Sequence, residues 1–117
     1  MKKFSGRVQD IGHDAENVAF LHCLIESSKD PLGKIFYWYD KNKNEVDIVM
    51  SYQSKLVPIE VKYRNSIGMK DLKGLVNFCK NYGIQSAFVV TKSMLEEKYV
   101  DDVKITFIPL WLFLLAY

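Results

Sequence analysis

The run from Glu45 to Arg64 constrains the fold more than any other part of the chain. It reads Glu-Val-Asp-Ile-Val-Met, a short turn over Tyr52 to Lys55, then Lys-Leu-Val-Pro-Ile-Glu-Val-Lys-Tyr-Arg. That composition predicts two strands joined by a tight connection. Side chains alternate along a strand, so Glu60 and Lys62 share one face, and Val57, Ile59 and Val61 share the other. On the first strand Val46, Ile48 and Met50 are expected on one face, with Glu45, Asp47 and Val49 opposite. One hairpin thus brings two acids and a lysine over a single patch of sheet. Such a patch is a candidate site for a divalent metal.

Upstream, helical spacing runs from Asp14. Ala15, Val18, Ala19, Leu21, Leu24 and Ile25 recur every three or four residues, with Asp14 as N-cap and Glu16 in the first turn beside the apolar stripe. Ser27 to Gly33, with Pro31, ends that helix. Ile35 to Asp40 is rich in strand formers, and Lys41 to Asn44 forms a polar turn. Three strands connected so closely predict an antiparallel meander.

A second helix is expected from Met69 to Tyr82. Met69, Leu72, Leu75, Val76, Cys79 and Tyr82 form its buried stripe, and Gly83 stops it. Ser86 to Thr91 reads as a buried strand, parallel to a neighbour reached by that crossover helix. A charged stretch, Lys92 to Lys104, leads to a short strand, Ile105 to Ile108. Pro109 opens a last helix at its first position. This order predicts an α/β fold, a mixed central sheet flanked by helices.

At 117 residues the chain has the length of one domain. Residues 1–11 are expected to be a leading arm and 12–117 a single domain. Nearly half the residues are hydrophobic, which argues against disorder. A formal charge of +2 is too small to point to nucleic acid by itself. No apolar core segment of a signal peptide follows Lys2 and Lys3, and Ile108 to Tyr117 is about half of the ~20 residues that span a bilayer. That apolar end predicts a buried helix or an interface, with no membrane partner. Cys23 and Cys79 have no ligand-spaced partner and read as packed thiols of a reducing cytoplasm.

Acid-x-lysine spacing alone decides nothing, since it also occurs at Asp71/Lys73, Glu96/Lys98 and Asp102/Lys104. Context separates Glu60/Lys62 from these. It lies in a β-branched strand beside a strand that carries Asp47 among apolar residues, where charges are costly without partners. A water-exposed sheet edge or a structural ion pair would also account for the three charges. As a site, the set supports definite chemistry. Two close carboxylates repel, and one tends to keep a proton unless a cation arrives. Mg²⁺ takes oxygen ligands and keeps several waters, and a bound metal with a lysine stabilises charge on a phosphoryl group. Asp47, Glu60 and Lys62 are the minimum set for phosphodiester hydrolysis, and the Val61 carbonyl is a further metal ligand.

Asp47, then Pro58-Ile59-Glu60-Val61-Lys62, preceded by a helix with Glu16-Asn17, resembles the PD-(D/E)XK nuclease superfamily and its restriction-endonuclease-like core. The ordered run EVDIV, PIEVKY, DLKGLVNF, AFVVTK and ITFIPLWLFLL is similar to the nuclease-like C-terminal domain of archaeal and bacterial AAA+ ATPases. The resemblance covers residue 12 to the end. It implies an αβββαβ core, metal acids at Asp47 and Glu60, a catalytic lysine at Lys62 and an accessory acid at Glu16. The implied activity is that of a Mg²⁺-dependent (or Mn²⁺-dependent) DNA endonuclease, structure-selective if it follows the Holliday-junction resolvases that share this core. Those act as homodimers, which would give the apolar C-terminal segment a use. A nuclease fold that only binds DNA or a protein is the alternative the resemblance leaves open. Gly33-Lys34 lacks the rest of a phosphate-binding loop, so ATP hydrolysis is not expected of this polypeptide, whether it stands alone or is a detached ATPase domain. Val46 replaces the usual proline before Asp47, and Pro58 suggests a bulge or a nearby edge.

Lys70, Lys73 and Lys80 lie along one side of the second helix. With Arg64, Lys41, Lys43 and Lys55 they could follow a phosphate backbone, although a solvated helix face is the simpler reading. Phe36, Tyr37, Trp38 and Tyr39 read as core and surface pleat more than as base-stacking platforms. His13 and His22 show no metal spacing. Trp111 to Leu114 read as core or dimer contact.

Overall fold

The computed structural model describes residues 8–117, with side chains from Ile11 onward. Residues 1–7 of the expected arm lie outside the described residues, whereas Val8 to Ile11 belong to the first helix. The elements are α1 (Val8–Ser28), β1 (Lys34–Tyr39), β2 (Glu45–Tyr52), β3 (Lys55–Lys62), a 3₁₀ turn (Met69–Leu72), α2 (Lys73–Tyr82), β4 (Ser86–Thr91), β5 (Glu96–Val100), β6 (Val103–Pro109) and α3 (Leu110–Ala116). The fold is α/β, a six-stranded mixed sheet in the order β1-β2-β3-β4-β6-β5 flanked by three helices. From α1 to β4 the element order is αβββαβ.

β1, β2 and β3 form the expected antiparallel meander. Gln53 and Ser54 turn between β2 and β3 at positive φ (52° and 66°), the geometry that matches strand twist in a two-residue hairpin. α2 then carries the chain over the sheet so that β4 runs parallel to β3. Gly83, at φ 66°, ends α2 in the left-handed conformation. Pro58 costs no rung on the β4 side, because the β3–β4 pairing begins one residue later, at Ile59↔Phe88.

Two cores lie on opposite faces of the sheet. On one, Leu72, Leu75, Val76, Phe78 and Cys79 cover Val46, Val49, Val89, Ile105 and Phe107. On the other, Ala15, Ala19, Cys23 and Phe113 cover Ile48, Ile59, Val61, Val90 and Ile108.

Several expectations are corrected. α1 begins at Val8, not after Asp14, because half-buried Ile11 continues the seam Ala15, Ala19, Cys23 one turn earlier. That seam is made of small residues, and the larger Val18, Leu21, Leu24 and Ile25 are exposed. The expected second helix divides into the 3₁₀ turn and α2, and in it Phe78 is buried, whereas Met69 of the turn and Tyr82 are exposed. The charged stretch holds a strand of its own, β5, paired with β6 through Asp101 and Asp102 at φ 50° and 68°. β5 is an edge strand, and its lysine and glutamates suit an edge that must not recruit another chain. Pro109 ends β6 and caps α3 from outside the helix, with ψ 145°. Among the described residues, no helix is long and apolar enough to cross a membrane.

Candidate functional site

The alternation expected along β2 fails at Asp47. Phe36 pairs with Val49 and Trp38 with Val46, so three steps of β2 span two steps of β1. This bulge turns both Val46 and Val49 toward α2, while Ile48 and Met50 face α1. Asp47 sits inside it.

The recorded β2–β3 pairing ends at Ile48↔Ile59, although β3 stays paired with β4 as far as Lys62↔Thr91. Beyond Ile48, carboxylates supply the cross-strand acceptors. The Asp47 N–H donates to Glu60 Oε1 at 3.0 Å, and the Val61 N–H donates to Asp47 Oδ2 at 2.8 Å. Each acid is thereby fixed against the opposite strand. Lys62 Nζ lies 3.5 Å from Glu60 Oε2. The structure therefore brings together Asp47, Glu60 and Lys62.

Electrostatics follow from this crowding. Burial first, then the Asp47 charge, pushes the Glu60 carboxyl up to about 8. Burial also raises Asp47, opposed by the Val61 N–H and by Lys62. Together the two carboxyls keep a shared proton more readily than isolated acids do.

Glu16 stands apart. It is half-buried on α1, and burial, then the Asp47 charge, pushes its carboxyl above the ordinary range, but it makes no hydrogen bond or ion pair to the cluster among the described residues. Nor, among those residues, do three or more acids, histidines or cysteines gather in a group able to hold a metal ion. The oxygen donors brought together are the two carboxylates of Asp47 and Glu60. They still fit Mg²⁺, which needs one or two carboxylates and fills its remaining positions with water.

Glu60 and Lys62 open into a cleft of about 300 Å³, lined also by Asn42, Lys43, Glu45, Lys70 and Lys73. Its walls are set by close packing. Gly74 at the start of α2 lies so near β2 that a Cβ there would stand 2.4 Å from the Glu45 carbonyl oxygen. Opposite, Asp40 accepts the N–H groups of Asn42 and Asn44 at 2.9 Å each, fixing the turn in which Lys43 adopts φ 64°. These hydrogen bonds from Asn44 and Asn42 hold Asp40 below the usual carboxylate range against the opposing effect of desolvation.

Of the expected phosphate-contacting cations, Lys70 and Lys73 line the cleft with Lys43. Arg64 is paired at 3.0 Å to Asp71, itself a lining residue of the cleft, and bonded through Nε to the Ser66 carbonyl. Lys80 faces Asp101 at 3.5 Å. The parts that sequence reasoning missed are Glu45, which both lines the cleft and accepts the Tyr37 hydroxyl, and Gly74. An invariant spacing could not have signalled them, since each acts through a tertiary contact.

Residues 11–113 match the family model described as a domain of unknown function, DUF4143. The chain belongs to the DUF4143 family. The matched region of this DUF4143 domain takes in all six strands, α2, most of α1, and the cluster of Asp47, Glu60 and Lys62. No curated protein matches the chain.

Neither cysteine serves the site. Both are buried and free, and burial pushes their thiols up, to about 12 for Cys23 and about 11 for Cys79, so neither is a ready nucleophile.

Proposed function

We propose that this DUF4143 domain is a metal-dependent DNA endonuclease of the PD-(D/E)XK type. The observation that carries the reading is the crossed pair of carboxylate–amide hydrogen bonds, which fixes Asp47 and Glu60 beside Lys62 where β2 and β3 part. The αβββαβ order supports it as well.

Asp47, Glu60 and the Val61 carbonyl would hold Mg²⁺ or Mn²⁺. When bound, the ion supplies Lewis-acid polarisation of the phosphoryl group and an acidified water. Lys62 places its ammonium beside that position and stabilises charge on a phosphoryl oxygen. Lys43, Lys70 and Lys73 neutralise neighbouring phosphates along the cleft. Glu16, which feels the Asp47 charge but stands outside the cluster, helps to orient solvent. Trp111, Leu115 and Tyr117, exposed on and just beyond α3, supply the contact for a homodimer.

The test is strand cleavage in Mg²⁺ and in Mn²⁺ on linear, branched and single-stranded DNA. Wild type should cut, and Lys62→Ala and Glu60→Ala should lose cutting while remaining folded by circular dichroism. Equal cutting by both variants would refute the mechanism. A second reading, a nuclease fold that binds DNA without cutting it, draws on Glu16 standing apart from the other acids. It predicts DNA binding with no metal-dependent cleavage on any of the three substrates.

A further inference from the structure

A second cavity of about 310 Å³ adjoins the lysine cleft, between the 3₁₀ turn, α2 and the β5–β6 turn. Lys70 and Lys73 line both, so the two cavities meet along these lysines. Helical spacing makes the division. Gly74 faces the cleft, whereas Met69, Leu72 and Val76, three and four residues apart, face the second cavity.

The linings differ in kind. The cleft is bordered by lysines, asparagines and acids, the second cavity mainly by apolar side chains. Leu72 and Val76 are buried at its base, Val100 of β5 is half-buried, and Met69 is a 63 % exposed wall. Two polar groups reach it. Asn77 is half-buried, and its side-chain amide, a donor and an acceptor, makes no hydrogen bond to protein among the described residues. Asp101 is its one acid, and Lys80 lies 3.5 Å away, so that charge is offset. An apolar pocket of this size with a few convergent polar groups suits a small planar ligand. Lysines at its rim call for an anion at one end of that ligand. A nucleotide unit has this division, a phosphate joined through a sugar to a flat ring whose edge carries donors and acceptors.

We propose that this second cavity is a nucleobase subsite, filled by the base of a nucleotide whose phosphate Lys70 and Lys73 hold. The ring packs against Met69, Val76 and Val100, and the Asn77 amide hydrogen-bonds its edge. A base can enter only after leaving its stack and its pairing partner, so the substrate is single-stranded or locally unpaired DNA. The inference rests on the nucleic-acid reading of the cleft. It adds a binding site and a substrate class to that reading.

The test is fluorescence anisotropy of a labelled oligothymidylate of about 12 nucleotides, and of an abasic strand of the same length, in EDTA so that nothing is cut. Wild type should bind the base-bearing strand about fivefold more tightly or better. In Met69→Ala/Asn77→Ala, which spares the buried core, that preference should fall to about twofold or less while the abasic strand binds as before. Lys70→Ala/Lys73→Ala should weaken both strands alike, since it removes phosphate contacts. Equal binding of the two strands by wild type would overturn the subsite, as would a full preference kept by Met69→Ala/Asn77→Ala. Free thymidine monophosphate at equal nucleotide concentration should not displace the strand. Full displacement would assign the cavity to a free nucleotide and overturn the strand reading. Mg²⁺-dependent cleavage is measured in parallel. Base preference without cleavage supports the subsite and refutes the endonuclease. Cleavage without base preference removes the subsite alone.

Discussion

Asp47 donates its backbone N–H to the Glu60 carboxylate at 3.0 Å, while the amide that follows Glu60, that of Val61, donates back to the Asp47 carboxylate at 2.8 Å. The two acids therefore serve the sheet as well as the site. They replace the backbone partners that β2 and β3 lose beyond Ile48↔Ile59. Position is gained from this arrangement, because each carboxylate has one oxygen anchored to an opposite strand.

Removing Asp47's side chain should cost stability independently of any metal. Asp47→Ala leaves the buried Val61 N–H without its acceptor, a loss of about 1–3 kcal/mol. Asp47→Asn keeps an acceptor oxygen for that amide and relieves the charge crowding on Glu60, so it should be close to neutral or stabilising. Urea denaturation of the two variants checks the contrast.

Glu60 sets a pH dependence of known sign. Its folded-state carboxyl titrates near 8 against an ordinary 4.5, so the folded chain holds the proton more tightly than the unfolded chain. This contribution is fully present below about 4.5 and is lost as pH rises through about 8. Metal-free wild type should lose stability across that window, and Glu60→Gln should show a flatter profile. Thermal melts from about pH 5 to about pH 9 in EDTA measure both.

Two glycines should respond oppositely to alanine. Gly74→Ala drives a Cβ into the Glu45 backbone, 2.4 Å from its oxygen and 2.9 Å from its nitrogen, so α2 must move off β2 at a cost of about 1–3 kcal/mol. That shift would also widen the lysine cleft. Gly12 lies within α1 with nothing within 4 Å of its added Cβ, so Gly12→Ala should stabilise by about 0.4–1 kcal/mol. Chemical denaturation of the pair gives both signs.

Much of this architecture is legible in the sequence because local and global signals agree. The β2–β3 hairpin follows from strand composition around a short polar turn, and α2 follows from its periodic stripe and Gly83. Three features depend on information that periodicity does not carry. The α1 seam hides because Val18, Leu21 and Ile25 are the strong hydrophobic signal, yet a helix laid close on a sheet presents its small residues. β5 hides because Glu96, Glu97 and Lys98 spell a solvated segment, which is also how an edge strand protects itself. Even so, Asp101-Asp102 could have signalled the hairpin, since aspartate tolerates positive φ.

Within the site, Glu60 and Lys62 were readable as neighbours from their two-residue spacing. The bulge at Asp47 was not, because strict alternation assumes a strand without an extra residue. It changes the meaning of the alternation without changing which acids meet. Glu45, Tyr37 and Gly74 were out of reach, as their roles come from contacts across elements.

The most direct test is calorimetric titration of the domain with Mn²⁺ at pH 7. The account predicts saturable heat in wild type, accompanied by proton release from the Asp47–Glu60 pair, and no such heat in Asp47→Asn or Glu60→Gln. Heat that persists unchanged in both variants, or wild type with none, would contradict it.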